Sequence, residues 1–285
     1  MREITSILTE RWEIPFRRRI WLWERVTPER LFVASFALMV LGGTLGLKLL
    51  PGLYTGPELS WVNAFFTATS AVCVTGLVVV DTATYFTPLG QAYLLLLIQL
   101  GGLGMITFTT VIIVALGRRM SLRHEALSLG GTDAAPQVDR RGLVRDVVRF
   151  TFIIELLGAM LLYATMAPTL GWREAIWHSV FQSVSAFCNA GFTTFEQSMV
   201  RFQQRPQVLG AIILLMMLGA IGFLTIEEIY LRYRAGRQRR IFRLSLHSRI
   251  VLLTSAVLIV SGAVLLGWFE WNGTLSGLPV ISKCT

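Results

Sequence analysis

Charged residues are scarce in this sequence. Only 15% of its 285 residues are Asp, Glu, Lys or Arg, and 54% are hydrophobic. Charged residues make up about 25% of an ordinary soluble domain. The apolar residues also stand in long blocks, and a block of about 20 residues is long enough to cross a bilayer as a helix. The scarcity of charge excludes an ordinary soluble protein, and the apolar blocks predict an all-α polytopic membrane protein.

Cysteines and the common catalytic motifs are lacking as well. The three cysteines, Cys73, Cys188 and Cys284, have neither the number nor the spacing of a disulfide framework or a zinc site. The sequence contains no HExxH, no GxSxG and no cluster of histidines and acids within the apolar blocks. We therefore predict that the protein is not an enzyme and that it binds no cofactor directly.

The basic residues alternate between segments of the chain. Of the 26 Lys and Arg residues, seven precede the first apolar block, seven lie between the second and third, seven lie between the fourth and fifth or at the very start of the fifth, and five lie elsewhere. Lys and Arg concentrate in cytoplasmic loops, so this pattern predicts a multi-pass protein of the cell inner (plasma) membrane with a cytoplasmic N-terminus. A nucleic-acid-binding face would not lose its charge at every second loop. The pattern favours the lipid bilayer, and not nucleic acid, as the partner of the basic residues.

The order of apolar blocks and polar segments predicts five full spans and two short helices. The spans are predicted at about Leu31–Leu50, Pro88–Leu116, Phe150–Ala167, Gln207–Tyr230 and His247–Phe269. The short helices, Trp61–Val72 and Glu174–Phe187, are too short to cross a bilayer. The predicted segments are a basic cytoplasmic segment (1–30), pore repeat 1 (31–116), a cytoplasmic loop (117–148), pore repeat 2 (149–230), a cytoplasmic loop (231–246), and the first helix and outer loop of an incomplete repeat 3 (247–285).

The two short helices and the loops after them form an internal repeat. The segments FTATSAVCVTGL (66–77) and FQSVSAFCNAGF (181–192) are offset by 115 residues and share Phe, Ser, Ala, Cys and Gly at five of twelve positions. The following spans also align, LGGLG (100–104) with LGAIG (218–222), at an offset of 118 residues. Because both units begin on the same side of the membrane, they are predicted to be parallel repeats.

The loops after the short helices have the composition of an ion-selectivity filter. Each contains a glycine, Gly76 or Gly191, and glycine adopts the dihedral angles that such a loop requires. Each short helix would also direct its partly negative C-terminus toward the ion path. Neither loop has an acidic residue, so backbone carbonyls would form the site. Divalent ions prefer charged oxygen ligands, which favours a monovalent cation.

Several residues have an ordinary structural interpretation beside a functional one. Gly76 and Gly191 could instead be helix-packing glycines, and the GGLG of 101–104 is interpreted as small-residue packing because no strand precedes it. Cys73 and Cys188 are expected to be small buried residues.

Glu155 is either a functional intramembrane acid or the ion-pair partner of an arginine, Arg149 or Arg145. His178 is expected to form hydrogen bonds at an interface, and Glu227 and Glu228 are expected near the lipid headgroups.

The repeated segments resemble a known family. SAVCVTGLVVVDTATYFTPLGQAYLLLLIQLGGLGMITF and REAIWHSVFQSVSAFCNAGFTTF are similar to the first and second pore repeats of the Trk/Ktr/HKT superfamily of potassium transporters, in particular the membrane subunit of the bacterial Ktr type. The resemblance implies four such repeats around one pore, K⁺ as the substrate, and Na⁺ as a coupling or activating ion in some members. It also implies a homodimer in the full-length form and a cytoplasmic ring of nucleotide-binding regulatory subunits. The filter residues implied are Val72, Cys73, Val74, Thr75 and Gly76, and Phe187, Cys188, Asn189, Ala190 and Gly191.

The sequence departs from the family pattern after the fifth span. EWNGTL (270–275) resembles the outer loop of a third repeat, and the sequence then ends at Thr285. Four repeats of this period would need on the order of 450 residues, so the chain is expected to be truncated after two and a fraction of four repeats. Two functions remain open from the sequence. One is a potassium uptake subunit that conducts monovalent cations, and the other is a non-transporting fragment or assembly subunit that lacks half of the pore.

Overall fold

Helices make up the regular structure of the described residues. The structure, a computed structural model, describes residues 28–105, 140–196, 198–237 and 244–270. Within these ranges, the only strand-like feature is an isolated antiparallel bridge between Tyr54 and Phe86. The helices are α1 (Pro28–Leu49), α2 (Trp61–Val72), α3 (Thr82–Tyr85), α4 (Pro88–Met105), α5 (Arg140–Leu170), α6 (Trp172–Phe187), a 3₁₀ turn (Ser198–Phe202), α7 (Pro206–Ile221), α8 (Phe223–Arg237) and α9 (Leu246–Glu270).

Four of the described helices are long and apolar enough to cross a membrane. They contain Phe32–Leu49, Pro88–Met105, Arg145–Leu170 and Leu246–Phe269, which are 18, 18, 26 and 24 residues long. A helix needs about 20 residues to span the hydrocarbon core. The chain is therefore an all-α polytopic membrane protein, as the scarcity of charge predicts.

The chain divides into two compact units, Met1–Leu38 and Met39–Thr285. The described part of the first unit is the start of α1, where the Ser35 hydroxyl donates a hydrogen bond to the Phe32 carbonyl oxygen at 2.7 Å. The Phe32 and Phe36 rings lie 4.6 Å apart in the same stretch. The second unit contains every other described element.

The first short helix, α2, occupies the residues that the sequence predicts. Its N-terminus is capped by Ser60, whose hydroxyl oxygen accepts a hydrogen bond from the Asn63 N–H at 3.2 Å. This cap satisfies one of the backbone donors that a helix start leaves free. Its buried face is made of small residues, including Ala64, Ala68 and Ala71. Small side chains allow neighbouring backbones to approach closely, which is how helices pack in a membrane.

The second short helix, α6, follows α5 almost without a loop. The sequence predicts a span at Phe150–Ala167 and a turn at Pro168–Arg173, but α5 continues to Leu170 and α6 begins at Trp172. Only Gly171, at φ 88°, separates them. Glycine adopts this backbone conformation at low cost, and it replaces the longer predicted turn. A core shared by α5, α6 and α7 includes Leu162, Met166, Ala175, Ala186, Val208, Ile212 and Leu215.

The predicted fourth span is interrupted. The apolar run predicts one helix from Gln207 to Tyr230, but α7 ends at Ile221 and α8 begins at Phe223. Gly222 lies between them with φ 83° and ψ 152°, which are not helical values. The prediction of a continuous helix is therefore wrong at this glycine.

Two contacts connect α8 to the start of α9. The Glu228 carboxylate accepts a hydrogen bond from the Ser245 N–H at 3.0 Å. The Ser248 hydroxyl, in the first turn of α9, lies 3.4 Å from the Thr225 hydroxyl. The expected position of Glu227 and Glu228 at the headgroups remains a prediction, but Glu228 has a structural contact of its own.

Parts of several predicted segments lie outside the described residues. These parts are 1–27 of the N-terminal segment, 106–139 around the first cytoplasmic loop, 197 of pore repeat 2, 238–243 of the second cytoplasmic loop, and 271–285 of the last segment, which includes Cys284.

Candidate ion-selectivity filter

The first loop, Val72–Gly76, continues the end of α2 with a specific set of backbone bonds. The Cys73 N–H donates to the Thr69 carbonyl oxygen at 2.8 Å, and the Thr75 N–H donates to the Ser70 carbonyl oxygen at 3.0 Å. Val74, between the two, has φ 49°. The chain therefore leaves the helix sharply while its backbone donors remain bonded to the last helical turn.

The second loop, Phe187–Gly191, repeats this arrangement at the end of α6. The Cys188 N–H donates to the Val184 carbonyl oxygen at 2.9 Å, and the Ala190 N–H donates to the Ser185 carbonyl oxygen at 2.8 Å. Asn189, between the two, has φ 56°. Each donor and acceptor is displaced by the offset of 115 residues that the sequence repeat has.

Left-handed backbone occurs at the same two positions in both loops. Val74 and Asn189 have positive φ although they carry side chains, and Gly76 and Gly191 have φ 75° and 73°. Side-chain-bearing residues rarely adopt this conformation, and it is a strained one for a β-branched residue such as valine. Strain of this kind persists only where the surrounding structure imposes it. The two loops therefore share one imposed backbone shape.

The two glycines face each other at close range. A Cβ atom on Gly76 would lie 2.7 Å from the Ala190 carbonyl oxygen and 3.0 Å from Gly191 Cα, and one on Gly191 would lie 3.2 Å from Gly76 Cα. These neighbours are backbone atoms, which cannot rotate away as a side chain can. These two glycines therefore pack loop against loop and not helix against helix as the packing interpretation has it, and their role in a filter remains a prediction.

A second pair of glycines supports the start of each loop from behind. A Cβ on Gly101, in α4, would overlap the Val72 carbonyl group, and a Cβ on Gly219, in α7, would overlap the Phe187 carbonyl group. Gly101 and Gly219 correspond at the offset of 118 residues, and Val72 and Phe187 correspond at the offset of 115. The close packing that the GGLG segment predicts is therefore found at Gly101. This glycine packs against backbone atoms of the candidate filter.

Side chains beneath the loops differ between the two repeats. In the first, the Thr75 hydroxyl donates to the Ser70 hydroxyl at 3.0 Å. In the second, the Ser185 hydroxyl donates to the Phe192 carbonyl oxygen at 2.6 Å. The Asn189 side-chain amide also donates to the Met216 carbonyl oxygen at 3.2 Å, which ties the second loop to α7.

The two cysteines have different surroundings. Cys188 is buried, as expected, but Cys73 is exposed, so the expectation of a buried residue is wrong for Cys73. The Cys188 thiol lies 3.9 Å from Oε1 of Glu155, and a Cβ on Gly102 would lie 2.6 Å from the Cys188 sulfur. Cys188 is therefore enclosed between α4 and α5, the helices that carry Gly102 and Glu155.

Glu155 has a different partner from the predicted arginines. It is 5% exposed, and its Oε2 accepts a hydrogen bond from the Gln99 side-chain amide at 3.0 Å. Arg145 and Arg149 are both exposed. Among the described residues, the ion pairs are Lys48–Glu58 and His178–Glu174, and neither involves Glu155. The interpretation of this acid as the ion-pair partner of Arg145 or Arg149 is therefore wrong.

Two further polar contacts of α6 involve residues in its N-terminal half, away from the second loop. His178 Nδ1 lies 2.6 Å from the Thr194 hydroxyl, and its ring stacks on Phe195. Burial lowers the pKa of His178, although the nearby Glu174 acts in the opposite direction. The Trp177 indole N–H donates to the Gln91 side-chain oxygen at 2.7 Å. The expected hydrogen-bonding role of His178 agrees with these contacts, and Trp177 joins the two repeats.

Comparison with known proteins identifies the family. A family model described as TrkH, cation transport protein, matches residues 15–278. The chain is 34% identical over 263 residues to a Ktr system potassium uptake protein B of Bacillus subtilis, and the match covers 92% of this chain and 57% of the relative. It is 36% identical over 241 residues to a Ktr system potassium uptake protein B of Vibrio alginolyticus, covering 85% of this chain and 52% of the relative.

The name of a third relative includes two ions, potassium and sodium. The chain is 31% identical over 255 residues to the potassium/sodium uptake protein NtpJ of Enterococcus hirae, covering 88% of this chain and 54% of the relative. The chain thus spans about half the length of the curated relatives it matches. These matches confirm the predicted superfamily, and they agree with the prediction that the protein is not an enzyme. The chain belongs to the TrkH family of cation transport proteins.

Proposed function

We propose that this chain is a subunit of a potassium uptake system and that K⁺ passes along the two loops, Val72–Gly76 and Phe187–Gly191. The observation that carries the proposal is their shared geometry. Both loops leave a short helix through the same backbone bonds, both have positive φ at the same two positions, and their glycines pack against each other. The printed names of the relatives, which are potassium uptake proteins, support the choice of ion.

Backbone carbonyls are the ligands in this proposal. Neither loop contains an acidic residue, and carbonyl oxygens can replace the hydration shell of a monovalent cation. The ends of α2 and α6 precede the loops, so the partly negative ends of two helix dipoles favour a cation there. Close packing of backbone against backbone at Gly76, Gly191, Gly101 and Gly219 holds the carbonyl positions. Na⁺ as a coupling or activating ion is part of the proposal, and the name of the Enterococcus relative supports it.

The membrane arrangement and the partners complete the proposal. The repeats are proposed to be parallel, in a cell inner membrane, with a cytoplasmic N-terminus, because Lys and Arg concentrate in alternate segments. The Ktr relatives are named as components of a system. We therefore include a homodimer and a cytoplasmic nucleotide-binding regulatory ring as the partners of the working transporter.

The experiment compares two aspartate substitutions at glycines with the same backbone conformation. Gly76→Asp places a charge in the first loop, whereas Gly52→Asp places one at a positive-φ glycine with φ 78° and open space around it. Both variants and the unchanged chain are expressed in cells that lack potassium uptake, and growth at limiting K⁺ and ⁸⁶Rb⁺ uptake are measured. We expect growth with the unchanged chain and with Gly52→Asp, and at least ten-fold lower uptake or lost discrimination against Na⁺ with Gly76→Asp.

The controls separate the possible failures. Immunoblots of the membrane fraction show whether each variant accumulates. Unchanged uptake and selectivity in Gly76→Asp would remove the first loop from the ion path. An absence of growth with the unchanged chain would contradict transport by this chain alone and favour the non-transporting or assembly role.

A further inference from the structure

The Asn189 side chain bonds the second loop to a neighbouring helix. Its amide nitrogen donates to the Met216 carbonyl oxygen at 3.2 Å and to the Phe187 carbonyl oxygen at 3.4 Å. Met216 belongs to α7, and Phe187 is the last residue of α6. Both neighbouring atoms are acceptors, and only the NH₂ end of the amide can donate to them. Two backbone carbonyls, one on each helix, therefore orient this side chain.

The backbone shape of the loop does not require the Asn189 amide. Asparagine is common at positive φ, so the left-handed backbone could by itself account for the residue. The first loop contradicts this explanation. Val74 occupies the equivalent position with φ 49°, close to the 56° of Asn189, and the valine side chain has no hydrogen-bond donor. The same loop shape thus forms without an amide, and the amide adds the bond to α7.

Gly219 leaves room for this bond on α7. A Cβ atom there would lie 3.1 Å from the Asn189 amide nitrogen and would overlap the Phe187 carbonyl group. Met216 and Gly219 are three residues apart in the helix, and residues with this spacing lie on the same helix face. The face of α7 that packs against the start of the second loop therefore also accepts the hydrogen bond. Close packing and a directed bond together hold the loop to this helix.

We propose that Asn189 is a positioning residue for ion discrimination, which keeps the second loop at a fixed distance from α7 when a cation binds. Na⁺ is smaller than K⁺, so backbone carbonyls must move inward to replace its hydration shell as closely. A loop that is bonded to the helix beside it resists this movement, whereas a loop without the bond can follow. The inference rests on the proposed function, because it requires a cation at the loop. The Asn189 side chain acts through the loop backbone and does not ligate the ion.

The test removes the hydrogen bond in two ways. Asn189→Gly keeps the left-handed backbone and deletes the amide. Asn189→Asp keeps the shape of the side chain, but its carboxylate has no hydrogen to donate to the two carbonyl oxygens. Val74→Gly is the comparison variant, because it places the same residue at the equivalent position of the first loop, where no side-chain hydrogen bond is lost. The substitutions are introduced at the chromosomal gene of the source cells, so that the protein acts in its own setting.

The measured quantity is the ratio of the Na⁺ inhibition constant to the KM for Rb⁺. Uptake of ⁸⁶Rb⁺ is measured against concentration with and without Na⁺, at about pH 8, where an aspartate side chain is ionised. A gene-deletion strain is the baseline. We expect the ratio to fall about five-fold in Asn189→Gly and in Asn189→Asp, which matches the loss of one hydrogen bond. Val74→Gly should lower the ratio less than about two-fold, whatever it does to Vmax, because it loses no such bond.

The outcomes distinguish a positioning role from a structural one. A structural role for Asn189 would lower Vmax or the amount of protein in the membrane and leave the ratio unchanged. An unchanged ratio in whichever Asn189 variant accumulates, or an equal fall in Val74→Gly, would overturn the inference while the filter stands. Failure of both Asn189 variants to accumulate would show that the residue is needed for folding, and it would also overturn the inference. Uptake by the unchanged strain equal to that of the deletion strain would overturn the proposed function as well.

Discussion

Two glycines in one helix provide a test of how closely α7 supports the second loop. A Cβ on Gly219 would overlap the Phe187 carbonyl group and lie 3.1 Å from the Asn189 side-chain nitrogen, whereas a Cβ on Gly210 would have nothing within 4 Å. Both residues lie within Pro206–Ile221. Gly210→Ala and Gly219→Ala therefore add the same methyl group to the same helix and differ mainly in what the methyl group meets.

The expected magnitudes follow from two opposing effects. Alanine is favoured over glycine in a helix by up to about 1 kcal/mol, and this gain applies to both variants. At Gly219 the new methyl group meets backbone, and overpacking of this kind costs about 1–3 kcal/mol. We expect Gly210→Ala to be neutral or stabilising by up to about 1 kcal/mol. Because the helix gain is common to both variants, Gly219→Ala should be less stable than Gly210→Ala by the cost of overpacking, about 1–3 kcal/mol.

The assay measures both stability and transport. The free energy of unfolding of the purified protein is determined in detergent by denaturant titration, and ⁸⁶Rb⁺ uptake is measured in cells. Gly219→Ala should also lower uptake or Na⁺ discrimination, because the Phe187 carbonyl must move to admit the methyl group. Equal stability and equal uptake in the two variants would refute the claim that Gly219 sets the position of the second loop.

Two further predictions concern α6. Trp177→Phe leaves the Gln91 side-chain oxygen, on a residue 7% exposed, without its indole donor, and should cost about 1–3 kcal/mol of unfolding free energy. Trp172→Phe, at an exposed tryptophan, should change the unfolding free energy by no more than about 0.5 kcal/mol. An equal loss in both variants would contradict a specific role for the hydrogen bond between Trp177 and Gln91. Because burial lowers the pKa of His178 below its usual 6.5, the unfolded chain binds the proton first. The free energy of unfolding should therefore keep its full contribution from His178 above pH 6.5 and fall as the pH drops below that value. His178→Gln should reduce the slope of the unfolding free energy against pH in this range. An unchanged slope would show that another group causes it.

The short helices and the loops after them could be predicted because local sequence determines them. The length of Trp61–Val72 and the change to Val, Thr and Gly after it are visible in the sequence, and the structure has a helix at those residues. The repeat also showed that Gly76 and Gly191 are equivalent. The partners of these glycines could not be predicted, because the sequence of one loop does not indicate which backbone lies against it.

The interruption at Gly222 shows where a pattern within the sequence is insufficient. Gly104 corresponds to Gly222 in the repeat alignment and is helical, whereas Gly222 is not. An isolated glycine is compatible with a helix or a break, and the packing around it determines which one forms.

The partners of Glu155 could not be predicted from the sequence either. The nearest arginines in sequence were the natural candidates, but its partners, Gln99 and Cys188, are 56 and 33 residues away.

The central claim is that a monovalent cation binds between the backbones of the two loops, and locating the ion tests it most directly. Crystals of the protein grown with Rb⁺ in place of K⁺ would show the ion by its anomalous scattering. The account predicts density at coordination distance from backbone carbonyl oxygens of Val72–Gly76 and Phe187–Gly191. Rb⁺ density bound elsewhere in the protein, with none at either loop, would contradict it.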